Sequence, residues 1–293
     1  MLYDISLRIE YDYDHPADSS RHIVRLSPAD LPGEQRQVAG SLIIEPKPAE
    51  WRVHTDFFGN NSVELAYFDA HKKIKFAVQS RVERSESDRK IGAAPTLNQL
   101  PHEISAYRSL DAWAPHHFVG PTSRVPIDRA TTQYAQNLIQ NNDSVLDAIS
   151  AIGEKLHRDF KYDPKATTVE TPMLEAFHGR RGVCQDFSHI MIACLRGLGI
   201  PAGYVSGFLR TTPPPGKKRL EGADAMHAWV RIWCGNQIGW MEYDPTNAKF
   251  AGADHVVIAR GRDYADVAPI KGVLRSHGKH TSTQKVDVIP VRQ

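Results

Sequence analysis

Gly182-Val183-Cys184-Gln185-Asp186-Phe187-Ser188-His189-Ile190-Met191-Ile192-Ala193-Cys194-Leu195-Arg196-Gly197-Leu198 decides how the chain is read. Phe187, Ile190, Met191, Cys194, Leu195 and Leu198 recur at the three- and four-residue spacing of one helical face. Gly199 and Pro201 supply the stop. Gly179 and Gly182 lead into the first turn, so Cys184 falls at the helix N-terminus, on the side of the apolar stripe. A thiol there feels the positive end of the helix dipole, which favours thiolate and suits a nucleophile. A buried structural cysteine is equally compatible with this stretch alone.

Downstream, Ala202 to Arg210 reads as a strand and Thr211 to Arg219 as a proline-stiffened loop ending in Lys217-Lys218-Arg219. Met226 to Trp233 then alternates, with His227, Trp229, Arg231 and Trp233 on one face. Gly235-Asn236 reads as a two-residue hairpin turn, and the return strand runs Gln237 to Asp244 until Pro245. That register sets Asp244 directly opposite His227, on the same face, with Cβ atoms about 5 Å apart. A carboxylate beside an imidazole is the orienting half of a Cys-His-Asp triad. A plain cross-strand His–Asp pair is the alternative for the hairpin by itself.

Upstream of the cysteine helix, Asp128 can cap a helix running to about Gln140. Asp143 or Ser144 can cap another, with Val145, Leu146, Ile149, Ile152 and Leu156 as its stripe. Glu170 to Phe177 forms a short helix before the cysteine. Residues 1 to about 85 read as short strands separated by turns such as Pro28 to Gly33 and Phe58 to Asn61, the pattern of a β-sandwich. His15, His22, His54 and His71 there lack ligand spacing, and Tyr11-Asp12-Tyr13-Asp14 reads as a solvated loop, not a cation site. From Glu83 to Pro126 a charged run and then prolines and glycines indicate an interdomain connection, packed in places through Trp113 and Phe118. His255 to Ala259 and Lys285 to Val291 are read as strands that complete the sheet of the second domain. The expected division is 1–85, 86–127 and 128–293.

The bulk numbers bound the function. A chain of 293 residues with 41% hydrophobic residues can bury two cores. A net charge of +2 gives no support for nucleic-acid or membrane-surface binding. No apolar run reaches transmembrane length, and Met1 to Ile5 reads as a strand, so neither a membrane span nor a signal peptide is expected. Three cysteines, an odd number, fit a reducing cytoplasm better than a disulfide framework.

Taken together, Arg181 to Phe187, Ala225-Met226-His227-Ala228-Trp229-Val230 and Tyr243-Asp244-Pro245-Thr246-Asn247 resemble, in order and spacing, the three catalytic blocks of bacterial transglutaminase-like proteins. Phe160-Lys161-Tyr162 and Gly261 to Pro269 also match, and residues 1–85 are similar to the β-rich N-terminal region found with this core. The resemblance implies an α+β fold: a β-sandwich-like N-terminal domain, then a papain-like core with the nucleophile helix packed on an antiparallel sheet. It implies Cys184 as nucleophile, His227 as general base and acid, and Asp244 as the orienting carboxylate. The calcium sites of animal transglutaminases find no match here, and no cofactor is expected.

The chemistry implied is acyl transfer at a carboxamide, through a thioester at Cys184 that water or an amine resolves. The Cys184 backbone N–H is one oxyanion donor. Gln185, which projects about 100° further round the helix, and Tyr162, through its family-like position, are candidates for the second. Trp229 is a candidate cleft wall beside His227, or packs. Lys217-Lys218-Arg219 is a candidate substrate contact or a solvated loop. Asp186 suits the first helical turn; His189, Cys194 and Cys234 read as structural. Zinc on Cys184, His227 and Asp244 lacks the short-spaced ligand pairs of typical sites. The leading reading is a cysteine hydrolase of a peptide, isopeptide or other amide. A protein-glutamine transamidase and a non-catalytic binding module are the alternatives. The N-terminal domain is a substrate-recognition module, a dimer partner or a packing partner.

Overall fold

The computed structural model describes residues 1–85, 93–140, 142–211, 222 and 224–291. The Lys217-Lys218-Arg219 segment lies outside them. The architecture is mixed α and β: an N-terminal curled sheet and a core in which one buried helix packs on a five-stranded antiparallel sheet.

The N-terminal region contributes β1 (Leu2–Val24), β2 (Gln35–Glu45), β3 (Glu50–Thr55), β4 (Asn61–Tyr67) and β5 (His71–Arg84). The sequence pattern suggests two separate strands before Leu26; they are one strand of 23 residues. Its first half pairs with β5 and its second half with β4, with register irregularities between Asp12 and Ala17 and between Asp18 and Ser20. The bend lets one strand serve both halves of the curled sheet, whose order is β2-β5-β1-β4-β3. Alternate residues Tyr3, Ile5, Leu7 and Ile9 point into its core. The acidic stretch Tyr11 to Tyr13 lies in this strand and is paired, not a loop.

The connection holds α1 (Leu100–Ala106) and a 3₁₀ turn at Pro115–Phe118. Phe118 is fully buried, and Trp113 stacks on it at 5.8 Å. The core then runs α2 (Arg129–Gln136), α3 (Val145–Asp159), β6 (Lys161–Tyr162), α4 (Met173–Gly179), β7 (Arg181–Gly182) and α5 (Cys184–Gly197). Asp128 caps α2, which stops a turn earlier than its pattern suggests. Ser144 caps α3 and Asp147 answers its backbone N–H, a full capping box.

Every residue of α5 from Gln185 to Arg196 is buried. Each large apolar side chain so placed stabilises the fold by about 1.5–3 kcal/mol. The helix ends where Gly199 adopts φ +77°. Ile200 N–H then reaches the Leu195 carbonyl at 2.9 Å and Gly199 N–H the Arg196 carbonyl at 2.9 Å, a Schellman motif.

The sheet beneath α5 comprises β8 (Ala202–Leu209), β9 (Ala225–Trp233), β10 (Trp240–Asp244), β11 (Lys249–Phe250) and β12 (His255–Gly261), in the order β11-β10-β9-β8-β12. Between β9 and β10 the chain makes a helical turn, α6 (Gly235–Ile238). The chain closes with α7 (Tyr264–Val267), β13 (Ile270–Arg275) and β14 (His280–Pro290). Both last strands pair with β1. The expectation that the strand over 285–291 completes the sheet of the 128–293 unit is therefore corrected. Strand β14 finds its partner along β1, where Val286 and Val288 enter the N-terminal core.

Among the described residues the outer edge of β12 has no strand partner, and the N-terminal region covers it with amide side chains. Val257 N–H donates to Gln35 Oε1 at 2.8 Å, and Gln35 Nε2 donates to the Val257 carbonyl at 2.8 Å and the Ala29 carbonyl at 2.7 Å. Arg260 N–H donates to Asn60 Oδ1 and Asn60 Nδ2 to the Arg260 carbonyl, both at 2.8 Å. Two side chains thus imitate the ladder that a sixth strand would supply.

Candidate active site

The start of α5 is built by Asp186 and Gly182. Asp186 Oδ2 accepts the Val183 N–H at 2.8 Å and the Thr167 hydroxyl at 2.6 Å. A Cβ at residue 182 would fall 2.4 Å from that oxygen, so the approach needs glycine. Asp186 is buried, and burial raises its carboxyl; its role is to cap the helix. The Cys184 amide belongs to the first turn and has no intrahelical acceptor. The parallel pair β6–β7 sets Tyr162 beside Gly182, two residues from the thiol. Tyr162 is half exposed, and its phenol is raised by burial and by the neighbouring Cys184.

His227 and Asp244 come together, but not by the register the turn suggests. Trp240 faces Trp233 and Tyr243 faces Val230 in the ladder, so β10 is displaced by two residues from a two-residue hairpin. The turn widens because Asn236 N–H is held by Glu103 of α1 at 2.7 Å and Gly235 packs on Pro95, partners invisible from local spacing. A slip of two residues keeps every side chain on its own face. His227 and Asp244 become diagonal neighbours, and the carboxylate leans along the strand to meet the ring: His227 Nε2 to Asp244 Oδ2 is 2.9 Å.

Asp244 is fully buried and its carboxylate accepts five hydrogen bonds. Oδ1 takes the backbone N–H groups of Thr246 and Asn247, at 3.0 and 3.2 Å. Oδ2 takes Asn247 Nδ2 at 2.6 Å, His227 Nε2 at 2.9 Å and His255 Nε2 at 3.1 Å. Burial works to raise this carboxyl, but its donors prevail and hold it well below the ordinary range. Burial likewise works to lower His227. The hydrogen bond to Asp244 and the interaction with Cys184 outweigh it, and the imidazole is raised to about 10. Because Nε2 serves an acceptor-only carboxylate, Nδ1 is the nitrogen left for the Cys184 thiol.

Trp229 is fully buried, so it packs and does not wall a cleft. Its ring lies beside His227 at 6.1 Å and edge-on to His255 at 5.2 Å, and its Nε1 donates to Glu242 at 2.8 Å. Glu242 is ion-paired with Arg260, which also pairs with Glu34 of the N-terminal region. Gln185 is buried and its Nε2 holds the Val169 carbonyl at 3.2 Å. His189 accepts Tyr264 N–H, and burial lowers it to about 4. Cys194 and Cys234 are fully buried, with thiols pushed up to about 12 by burial.

No role for His255 or Glu242 is visible in the sequence, and Asn247 enters there only as the end of the third block, without its contact to Asp244. A lone histidine in an apolar strand carries no local signal; only the side-chain contact between His255, at the start of β12, and Asp244, at the end of β10, reveals it. Among the described residues, His227, Asp244 and His255 place three ligand atoms within 4.8 Å of one another. The set does not fit a metal. Gly252 N–H donates into His255 Nδ1 at 3.2 Å, so the ring proton is on Nε2 and that atom is a donor, not a ligand. A cavity of about 1090 Å³ lies elsewhere, lined by residues such as Arg21, Trp51, Phe58, His117 and Arg262, and includes none of Cys184, His227 and Asp244. That cavity is roomy, but its lining includes no cysteine, serine or threonine beside a base, whereas Cys184 has His227.

Residues 132–245 match the family model described as the transglutaminase-like superfamily, and residues 3–83 match the bacterial transglutaminase-like N-terminal region. The chain is 33% identical over 293 residues to an uncharacterised protein of Mycobacterium tuberculosis, covering 98% of this chain and 92% of that one. An uncharacterised protein of Mycobacterium leprae is 29% identical over 272 residues, covering 92% and 91%. Among solved structures, a candidate cysteine protease from Cytophaga hutchinsonii superposes with a TM-score of 0.75 at 21% identity, covering 100% of this chain and 91% of that one. That likeness concerns the fold. No described helix is long and apolar enough to cross a membrane.

Proposed function

The chain belongs to the transglutaminase-like superfamily, and from that premise we propose that it is a cysteine hydrolase that cleaves a peptide, isopeptide or other amide bond. In this reading His227 takes the Cys184 proton, and the sulfur attacks the amide carbonyl. The oxyanion meets the Cys184 N–H at the start of α5, with the exposed Tyr162 hydroxyl as the second donor. His227 returns the proton to the departing amine, which leaves Cys184 as a thioester. Water, deprotonated by His227, then attacks the thioester, releasing the acid and restoring the thiol. Asp244 orients the ring throughout and stays ionised. The compartment is the cytoplasm, where three free thiols are at home.

The observation that carries the reading is the 2.9 Å contact from His227 Nε2 to a fully buried, five-fold hydrogen-bonded Asp244, which leaves Nδ1 for Cys184. A protein-glutamine transamidase would share each step up to the thioester. Product analysis separates the two: peptide mixtures are incubated with and without a primary amine. Free acid as the main product in both supports hydrolysis, and an amine conjugate that displaces it overturns hydrolysis in favour of transamidation. Neither product, with Cys184 intact, overturns catalysis.

A further inference from the structure

His255 is 1% exposed and belongs to β12, beyond the stretch that the core family model matches. Its two ring nitrogens are both assigned. Nδ1 accepts Gly252 N–H at 3.2 Å, while His255 N–H in turn reaches the Gly252 carbonyl at 3.0 Å. A nitrogen that accepts an N–H carries no proton, so the neutral ring bears its proton on Nε2, which donates to Asp244 Oδ2 at 3.1 Å. The Gly252 turn thus fixes the tautomer, and the tautomer makes the ring a donor.

We propose that His255 is a positioning residue, which holds the Asp244 carboxylate in the orientation that receives His227. The displaced hairpin register makes such a device necessary. Asp244 is diagonal to His227, so its side chain must lean along the strand, and nothing in the β9–β10 ladder fixes that lean. Three donors on Oδ2 fix it from three directions: His227 from β9, Asn247 from the turn after β10, and His255 from β12 on the far side of the sheet. The ring of His255 is itself held edge-on to Trp229. The arrangement also serves charge. When His227 gives up its proton during turnover, Asp244 is left as a buried anion; the backbone N–H groups of Thr246 and Asn247 on Oδ1, with the Asn247 amide and His255 on Oδ2, keep it ionised and in place.

The inference rests on the proposed function, and its test separates the two. The groups facing His227 are Asp244, Cys184, His255 and the Trp229 ring. The ring titration of His227 is followed by NMR in the wild-type chain, His255→Phe and His255→Gln, together with kcat and KM for any turned-over peptide. With His255→Phe the carboxylate swings away, the His227 titration falls by a pH unit or more, and kcat falls at least tenfold with KM within about twofold. His255→Gln, which keeps an N–H near the Nε2 position, recovers most of both. A His227 titration unmoved in His255→Phe overturns the inference. Where His255→Phe does not fold, the wild-type ring decides. ¹⁵N shifts of a neutral Nε2–H tautomer for His255 support it, and an Nδ1–H tautomer overturns it. These ring measurements need no turnover, so a wild-type protein without activity defeats the proposed function alone.

Discussion

Replacing Gln35 by Ala removes the amide that ties the N-terminal sheet to the edge of β12. Gln35 is 3% exposed and its side-chain amide makes three hydrogen bonds of 2.7–2.8 Å. After truncation the Val257 carbonyl keeps the Ala29 N–H at 2.9 Å, but Val257 N–H and the Ala29 carbonyl lose their partners. Each buried, unpaired backbone group costs about 1–3 kcal/mol, and the freed side-chain entropy returns about 1–2 kcal/mol. The expected loss is about 3 kcal/mol. Urea unfolding followed by tryptophan fluorescence reads it, because Trp229 and Trp233 lie in the strand next to β8 and β10. Gln37→Ala is the control: its amide makes one long contact of 3.4 Å to Ser80, and its loss should cost under about 1 kcal/mol. A cost below about 1 kcal/mol for Gln35→Ala would mean that the edge of β12 is satisfied without the N-terminal region.

Other substitutions and conditions probe the same frame. Gly207 stands opposite His227 in the β8–β9 ladder, and a Cβ there would lie 2.4 Å from the Trp229 ring and 2.2 Å from the Val256 carbonyl oxygen. Gly207→Ala should therefore displace the indole from beside His227 and lower kcat at least tenfold, while Gly252→Ala, with open space around it, should leave the fold intact by circular dichroism. Burial lowers His22 and His189 to about 4 in the folded chain, against about 6.5 when unfolded. Unfolding at pH 5–6 takes up those protons, so stability rises with pH there, by up to about 1.4 kcal/mol per pH unit for each ring, and is lost as pH falls through 6.5 towards 4. His227 acts in the opposite sense: raised to about 10, its contribution is complete below about 6.5 and fades as pH climbs towards 10. Thermal midpoints from pH 4 to 10 should trace both limbs, and His227→Gln should flatten the alkaline one.

The sequence was legible where physics is local. The apolar spacing of α5, its Gly199 stop and the Asp128 and Ser144 caps are all set within a few residues. His227 and Asp244 met despite a wrong turn, because a slip of two residues preserves the faces of both strands. What stayed hidden depends on distant chain. The hairpin widens for Glu103, α1 forms within a proline-rich stretch that shows no sustained period, and β14 pairs with β1 across nearly the whole sequence. His255 had no signal at all, since its partner Asp244 lies in another strand and its tautomer is set by a turn. Gln35 and Asn60 were equally silent, because a side-chain amide that imitates a strand leaves no periodic trace.

In the proposed reaction Cys184 is the nucleophile, served by His227 and Asp244. Intact-protein and peptide mass spectrometry after acid quench of a reaction with a glutamine- and asparagine-containing peptide mixture tests it most directly. An acyl adduct on Cys184 is expected, absent from Cys184→Ala, strongly reduced in His227→Gln and Asp244→Asn, and cleared when the quench is delayed. No adduct in the wild-type chain, together with equal iodoacetamide labelling of Cys184 in the wild-type and His227→Gln proteins at pH 7, would contradict it.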